Sequence, residues 1–166
     1  IAEKYGTSPV VMDVADVSSI RMAVKSLWES QGPFHLLCNN AGINAPQAGL
    51  DVDEKTWQRV FDTNVTGTFF VTQTLARYWV ADGIRGSVVN VGSQAGSVAI
   101  EDRVAYGSSK AAIAHMTRVL AFEWGRFGIR VNAVAPTFIR TELSASTLDR
   151  PGMEEKLTSR IPMGRL

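Results

Sequence analysis

The stretch GSVVNVGSQAG, residues 86–96, sets a short apolar run directly before a turn of small and polar residues. Valine-rich runs of this length are typical of strands that lie inside a parallel sheet. The segment GSQAG has the Gly and Ser content of a turn, so the chain is expected to leave the sheet at Gly92. We therefore predict a strand over 86–91, buried on both sides, whose carboxyl end carries Ser93.

Other short apolar runs flank this one, and longer helical patterns separate them. The further predicted strands are PVVM (9–12), FHLLCN (34–39) and IRVNAVAP (129–136). Apolar residues recur at helical spacing over about 17–30, 53–81 and 104–127. Asp53 suits a helix start, and Gly83 and Gly128 suit helix ends. Strands that alternate with helices predict a doubly wound parallel α/β sheet with helices on both faces.

Composition limits the classes of protein that fit this chain. It has 166 residues, of which 45% are hydrophobic and 20% charged, as expected of one globular domain. A net charge of +1 gives no reason to expect binding to nucleic acid or to a membrane surface. The sequence has neither an apolar run of the roughly 18 residues that span a bilayer nor a signal-peptide pattern. We expect a cytoplasmic protein without a metal site, with its single cysteine, Cys38, buried in the core.

Small and polar residues follow each predicted strand. In a parallel sheet, ligands bind outside the carboxyl ends of the strands. The groups at these ends are Asp13-Val14, Asn39-Asn40-Ala41-Gly42, Gly92-Ser93 and Pro136-Thr137. Because these ends meet at one edge of the sheet, the four groups predict one continuous binding site.

Three further positions suggest acid–base chemistry at that edge. Tyr106 and Lys110 are four residues apart in a predicted helix and so share a face. A nearby ammonium favours the phenolate form of a tyrosine, which lets the phenol exchange a proton with a substrate oxygen. Asn64 interrupts the apolar segment VFDTNVTGTFF, and a buried asparagine must find hydrogen-bond partners. Each residue alone also has an ordinary reading, as a solvated helix residue or as helix packing.

In their order and spacing, these motifs resemble the short-chain dehydrogenase/reductase family. The matching segments are MDVAD (12–16), NNAG (39–42), TNVTGTF (63–69), VNVGSQAG (89–96), YGSSK (106–110) and RVNAVAPTFIRTEL (130–143). The resemblance covers nearly the whole chain. It implies a Rossmann-like domain over 1–166 and an NAD(P)-dependent oxidoreductase. Such an enzyme interconverts a secondary alcohol and a ketone by hydride transfer.

The resemblance also implies a role for each matching residue. Tyr106 would be the general acid in reduction and the base in oxidation, and Lys110 would assist it and hold the nicotinamide ribose. Ser93 would bind the substrate carbonyl oxygen, and Asn64 would anchor a water that links Lys110 to solvent. Further cofactor contacts would come from Asp13 and Val14 (adenine), Asn40, Ala41 and Gly42 (ribose), and Pro136, Thr137, Ile139 and Thr141 (nicotinamide and pyrophosphate).

The chain departs from the family pattern at both ends and at one internal position. Pro136-Thr137 stands where the family commonly has Pro-Gly. The glycine-rich turn that cradles the pyrophosphate is not in this sequence, nor is the strand whose end chooses between NAD and NADP. Residues 1–6 look like a helix end. We therefore expect an internal portion of a protein of about 250 residues, with the cofactor left as NAD or NADP.

Substrate and assembly remain open at this level. A small polyol or sugar is slightly favoured by APTFIRTEL, and a 3-oxoacyl thioester on an acyl carrier protein is the alternative. A non-catalytic nucleotide sensor or assembly protein is the alternative of another class. Residues 137–166 are expected to form a substrate lid with one short helix near 153–160. The helices 53–81 and 104–127 are expected to build a homotetramer, through a surface that includes Trp57, Phe61, Phe69, Phe122 and Trp124.

Overall fold

A computed structural model describes residues 6–166, so the helix end expected over 1–6 falls outside the described residues except for Gly6. The chain forms two compact units that meet in sequence between Ala135 and Pro136. The first unit contains the sheet, and the second contains two short helices. Each unit is described by itself below.

The sheet of the first unit has three parallel strands in the order β1-β2-β3. They are β1 (Leu36–Asn39), β2 (Ser87–Val91) and β3 (Arg130–Val134). The register pairs Asn39 with Asn90, and Val91 with Val134, so the carboxyl ends of the strands lie at one edge. Three of the four predicted strands and the parallel α/β class are therefore confirmed.

The strand predicted over 9–12 is wrong for the part of the chain that the structure describes. A strand is held by a ladder of hydrogen bonds to a neighbouring strand. The edges of the sheet are β1 and β3, and neither pairs with residues 9–12. Val11 is 98% exposed. An apolar, β-branched run is thus not enough to form a strand where no described neighbour accepts it.

Four α-helices of the first unit follow the predicted patterns. They are α1 (Val17–Gln31), α2 (Glu54–Phe61), α3 (Thr68–Ala81) and α4 (Val104–Trp124). Asp53 caps α2, since its carboxylate accepts a hydrogen bond from Thr56 N at 2.7 Å. Gly83 and Gly128 lie beyond the ends of α3 and α4 with φ of 66° and 73°, a region that favours glycine. Between α2 and α3, a π-helical turn (Asp62–Gly67) interrupts the predicted continuous helix.

The described helices of the first unit cover one face of the sheet. Both crossovers lead from a strand to its next neighbour in the same direction, and right-handed crossovers then place their helices on the same side. Val88 and Val131 face that side and are buried. Residues of the other phase, such as Leu36 and Cys38, are exposed. The prediction of a buried Cys38 is therefore wrong. In β2, Val88 and Asn90 are buried but Ser87, Val89 and Val91 are only half-buried, so burial on both sides is confirmed only in part.

A chain of buried hydrogen bonds runs through the covered face. Asn39 Nδ2 donates to Thr72 Oγ1 at 2.7 Å and to Asn90 Oδ1 at 2.8 Å. Asn90 Nδ2 donates in turn to Thr117 Oγ1 at 2.9 Å. These four side chains connect α3, β1, β2 and α4. Because buried polar groups need partners, this series of hydrogen bonds fixes how α3 and α4 pack on the strands.

The second unit contains α5 (Glu142–Leu148) and α6 (Met153–Thr158). The short helix predicted near 153–160 is confirmed by α6. Sequence reasoning missed α5, because its Ser and Thr content indicates a loop. Arg140 forms ion pairs with Asp149 and Glu154 inside this unit. Across residues 6–166, none of the helices combines the length and the apolar character needed to cross a membrane.

We expect Thr117→Val to destabilise the protein by about 1–3 kcal/mol, because it leaves the buried Asn90 amide without its acceptor. Valine has nearly the shape of threonine, so packing changes little. Thr74→Val is the matched control, because Thr74 Oγ1 only returns a hydrogen bond to Phe70 O in its own helix. Urea unfolding of the three proteins measures the difference. Equal stability of the two variants would contradict a structural role for this hydrogen-bond chain.

Candidate active site

Ser93 lies directly beyond β2, at the carboxyl edge of the sheet. Gly92 N donates to Val134 O at 2.8 Å, which continues the pairing with β3 up to this point. Ser93 Oγ then accepts a hydrogen bond from Ala95 N at 3.1 Å and so begins a 3₁₀ turn (Gln94–Gly96). Within residues 6–166, the hydroxyl of Ser93 donates to no protein acceptor. Its proton is therefore available to a ligand.

Two glycines bring the Ser93 turn into contact with α4. A Cβ on Gly96 would lie 2.8 Å from Ala111 N, and a Cβ on Gly107 would lie 2.9 Å from Ala95 O. Both distances are shorter than real Cβ contacts, so a larger residue would push the turn and the helix apart. From the sequence alone, Gly96 is interpreted as a turn residue and Gly107 as a helix residue. Their contact holds Ser93 next to the helix that carries Tyr106.

Tyr106 and Lys110 lie on one face of α4, as predicted. Lys110 Nζ is 5.6 Å from the centroid of the Tyr106 ring. The same ammonium donates to Val91 O, the last residue of β2, at 2.7 Å. That bond ties the side chain of Lys110 to the strand that leads into Ser93.

Lys110 is unusually buried for a lysine, with a relative exposure of 5%. Among the described residues, no carboxylate forms an ion pair with it. Burial without a counter-charge disfavours the charged form and lowers the pKa of Lys110 from 10.5 to about 8. The ammonium therefore loses its proton at a pH much closer to neutrality than an exposed lysine does.

Asn64 is fully buried in the π turn between α2 and α3. Its Oδ1 accepts from Ile43 N at 2.8 Å, and its Nδ2 donates to Ile43 O at 3.0 Å and to Ser109 Oγ at 3.0 Å. Asn64 thus joins the loop after β1 to α4. The polar interruption in an apolar helix predicted a special role here. It did not predict the π turn, a helix irregularity that is frequent at functional sites.

Gly42, Asn64 and Lys110 surround one small space. A Cβ on Gly42 would lie 3.3 Å from Asn64 Oδ1 and 3.4 Å from Lys110 Nζ. The glycine leaves open a volume that a side chain would fill, and a carboxamide oxygen and an ammonium border it. Three predicted site residues from three separate segments are therefore brought together.

Three of the five residues predicted for the adenosine end of the cofactor line a cavity. Val14, Asn40 and Ala41 line a space of about 100 Å³ together with Met12, Leu37, Cys38, Asn39, Thr63, Gly67, Thr68 and Val71. A Cβ on Gly67 would lie 2.6 Å from Val14 O, so the π turn abuts this loop directly. Asp13 is exposed, and its carboxylate accepts from Ala15 N at 2.9 Å. The cofactor contacts predicted for Asp13, Val14, Asn40, Ala41 and Gly42 stay predictions.

Four predicted cofactor residues belong to the second unit. Pro136 and Thr137 begin it, and Ile139 is 58% exposed. Thr141 starts α5, where its N–H donates to Ser144 Oγ at 2.9 Å. This capping interaction accounts for Thr141 locally. The cofactor contacts of these four residues, and the role of 137–166 as a substrate lid, stay predictions.

Sequence reasoning missed Ser109, which is fully buried between Asn64 and the backbone of Tyr106. The only signal was its position directly before Lys110 in YGSSK. Ser108, its neighbour, is exposed. Two adjacent serines of the same motif therefore have opposite surroundings.

A family model described as short chain dehydrogenase matches residues 2–151. This chain belongs to that family. Family members use NAD or NADP, and the family resemblance of the motifs is confirmed.

Similar curated proteins act on small hydroxylated compounds, as their names state. The chain is 36% identical to D-erythrulose reductase of Gallus gallus and 37% identical to galactitol 2-dehydrogenase (L-tagatose-forming) of Cereibacter sphaeroides. It is 35% identical to human L-xylulose reductase. Each alignment covers 99% of this chain but only 65–66% of the relative. The chain thus spans slightly less than two thirds of their length.

Solved structures agree with the Rossmann-like assignment. A gluconate 5-dehydrogenase from Burkholderia cenocepacia, in complex with NADP and tartrate, superposes with a TM-score of 0.92 at 29% identity. The match covers 98% of this chain and 64% of that one. An actinorhodin polyketide ketoreductase with NADPH superposes with a TM-score of 0.85 at 32% identity. That match covers 93% of this chain and 63% of the ketoreductase.

We expect the stability contributed by position 110 to depend on pH. The pKa of Lys110 is about 8 in the folded chain and 10.5 as a reference for the unfolded chain. Between these values the unfolded state binds a proton that the folded state does not, so stability rises with pH. The unfolding free energy of the wild type should therefore increase relative to Lys110→Met from pH 8 to 10.5.

Urea unfolding of both proteins across this pH range measures the difference. A substitution at the exposed Lys25, Lys25→Met, controls for the loss of a surface lysine. If the unfolding free energy of wild type minus that of Lys110→Met stays constant or falls from pH 8 to 10.5, Lys110 is not desolvated as described.

Proposed function

We propose that the protein containing this chain is an NAD(P)-dependent oxidoreductase that interconverts a secondary alcohol and a ketone on small polyols or sugars. The observation that carries the proposal is the grouping of Gly42, Asn64, Lys110 and Tyr106 next to Ser93 at the carboxyl edge of the sheet. A nucleotide sensor or an assembly protein has no need for an ammonium held beside a phenol. Membership in a family of dehydrogenases also disfavours the non-catalytic alternative.

The residues present fit parts of a bound nicotinamide cofactor. An ammonium has three donors. Lys110 uses one of them on Val91 O, so two remain for a ribose hydroxyl and for a proton relay. The space left by Gly42 lets a ligand or a water approach both Lys110 and Asn64. When bound, the nicotinamide would supply or accept the hydride.

Proton transfer would be the work of the protein. In reduction, the hydroxyl of Tyr106 would donate its proton to the substrate oxygen, and in oxidation the phenolate would take it back. The ammonium of Lys110 lies 5.6 Å from the centroid of the Tyr106 ring and would place positive charge beside the phenol while that proton moves. The free hydroxyl proton of Ser93 would bind the same substrate oxygen and stabilise negative charge that develops on it.

Asn64 would serve the relay through its oxygen. Both hydrogens of its amide nitrogen and one lone pair of its oxygen are used by Ile43 and Ser109. A carboxamide oxygen has two lone pairs, so one remains for a water. A water in the space beside Gly42 would then lie between Asn64 Oδ1 and Lys110 Nζ.

Support for the substrate class comes from the names of the similar proteins and not from the geometry of the site. Their names refer to erythrulose, galactitol and tagatose, and xylulose, all of which are small and rich in hydroxyl groups. The acyl-carrier alternative has no comparable support among these three relatives. We assign the cofactor as NAD or NADP.

We expect Tyr106→Phe to lower kcat by at least about 100-fold for reduction of erythrulose, xylulose or tagatose, because the proton donor is lost. Fluorescence titration with NADH and with NADPH should show that cofactor binding is retained. Tyr78→Phe is the matched control, because Tyr78 stacks on Trp28 and takes no part in the site. If wild type and Tyr106→Phe reduce these ketoses equally well, the assigned chemistry is wrong.

We also propose a homotetramer built through α2, α3 and α4. Of the five aromatic residues predicted for this surface, Phe122 is 88% exposed and Trp57 is 38% exposed. Phe61 stacks on Trp57, and Phe69 and Trp124 instead pack against the core of their own chain. Val80, Val119 and Phe127 are further exposed apolar residues at or next to these helices. Exposed apolar area on adjacent helices supports a protein–protein contact.

We expect Phe122→Glu to shift the protein to smaller species in sedimentation velocity, because a charge cannot be buried unpaired in an apolar contact. Leu50→Glu is the control, because Leu50 is an equally exposed apolar residue outside these helices. A monomeric wild type, or an unchanged sedimentation coefficient in Phe122→Glu, would contradict this assignment of the surface.

A further inference from the structure

We propose that Ser109 is a positioning residue of this site, whose hydroxyl holds the carboxamide of Asn64 in the orientation that turns Oδ1 toward Gly42 and Lys110. The inference rests on the proposed function, because it concerns the relay that Asn64 is proposed to serve. Ser109 itself touches neither substrate nor cofactor in this scheme. It would act through Asn64.

The hydroxyl of Ser109 bonds to two partners from different segments. It donates to Tyr106 O, three residues earlier in α4, at 2.7 Å. It accepts from Asn64 Nδ2, in the π turn, at 3.0 Å. Ser109 and Asn64 both have a relative exposure of 0%, so water does not compete for this bond. The bond is therefore part of the interior of the site.

A bond back to the preceding turn is common for a serine within a helix and needs no further explanation. The bond from Asn64 is different, because it connects α4 to another segment 45 residues away. It also determines the orientation of the amide. Asn64 Nδ2 faces two acceptors, Ile43 O and Ser109 Oγ, whereas Oδ1 faces the N–H of Ile43. Exchanging the oxygen and nitrogen would set oxygen against both acceptors.

Loss of the Ser109 hydroxyl would leave one amide hydrogen of Asn64 buried and unpaired. The two bonds to Ile43 would remain, but an unpaired buried donor is costly, and the terminal torsion of asparagine is soft. The amide would then tilt to find another partner. Since Asn64 Oδ1 and Lys110 Nζ border the same space beside Gly42, such a tilt changes the relay without touching Tyr106 or Ser93.

A double-mutant cycle on the purified protein separates this role from a general structural one. We expect Ser109→Ala to lower kcat about 5-fold, the effect of one lost hydrogen bond, with the dissociation constants of NADH and NADPH changed less than about 2-fold. In an Asn64→Ala background, Ser109→Ala should have almost no further effect on kcat. Ser108→Ala, the neighbouring exposed serine, should behave as wild type. Additive effects of Ser109→Ala and Asn64→Ala would overturn the proposal.

A second readout does not need activity. In ¹⁵N-labelled protein, the side-chain amide hydrogens of Asn64 should exchange slowly with solvent, because both are buried and bonded. Ser109→Ala should accelerate this exchange at least about 5-fold, since a net hydrogen bond is lost. Ser108→Ala should leave it unchanged. Identical exchange in Ser109→Ala and wild type would show that Ser109 does not hold the amide.

The two readouts distinguish failure of the inference from failure of the proposed function. A wild type that reduces none of the ketoses rejects the function, while the exchange measurement still decides whether Ser109 orients Asn64. If Ser109→Ala does not fold, Ser109→Cys replaces it, because a thiol fits the space and accepts hydrogen bonds only weakly. Exchange in Ser109→Cys should then lie above wild type, and exchange equal to wild type would overturn the proposal.

Discussion

The carboxamide of Asn64 is the interaction on which the rest of the site depends. It binds both backbone groups of Ile43 and the hydroxyl of Ser109, so one side chain joins the loop after β1, the π turn and α4. Ile43 directly follows Gly42, whose missing Cβ leaves room beside Lys110. Without that carboxamide, the loop and the helix would share no described side-chain bond at this point. The open space next to Lys110 would then have no fixed border.

The hydrogen-bonded chain deeper in the unit supports this arrangement. Its hydrogen bonds hold α3 and α4 at fixed positions along β1 and β2, through the side chains of Asn39, Asn90, Thr72 and Thr117. Polar side chains at these positions give up some of the free energy that apolar burial would provide. In exchange, directional bonds specify a register that apolar packing alone leaves loose. The site at the carboxyl edge requires these fixed positions of helix against strand, because its groups come from different strands and helices.

The sequence predicts local structure well and tertiary context poorly. Alternation of apolar runs and helical periods locates β1, β2 and β3, and three helical stretches that contain α1, α2 with α3, and α4, because these patterns are local. The strand expected over 9–12 failed because pairing depends on a neighbour elsewhere in space. Cys38 was placed in the core because its run is apolar, but which face of a strand is covered depends on crossover direction. The π turn at Asn64 and the burial of Ser109 also arise only when segments meet.

The hydrogen-bond acceptor of Lys110 Nζ is a backbone carbonyl oxygen, that of Val91, and not a carboxylate. A buried ammonium needs some acceptor, and a carboxylate would hold its proton most firmly. A carboxylate would also cancel the positive charge that the phenol of Tyr106 is proposed to use. Val91 O provides only a partial negative charge, and its hydrogen bond holds Nζ 5.6 Å from the centroid of the Tyr106 ring. Burial without a carboxylate lowers the pKa of Lys110 to about 8. Because this value is still above neutral pH, the side chain stays mostly charged there.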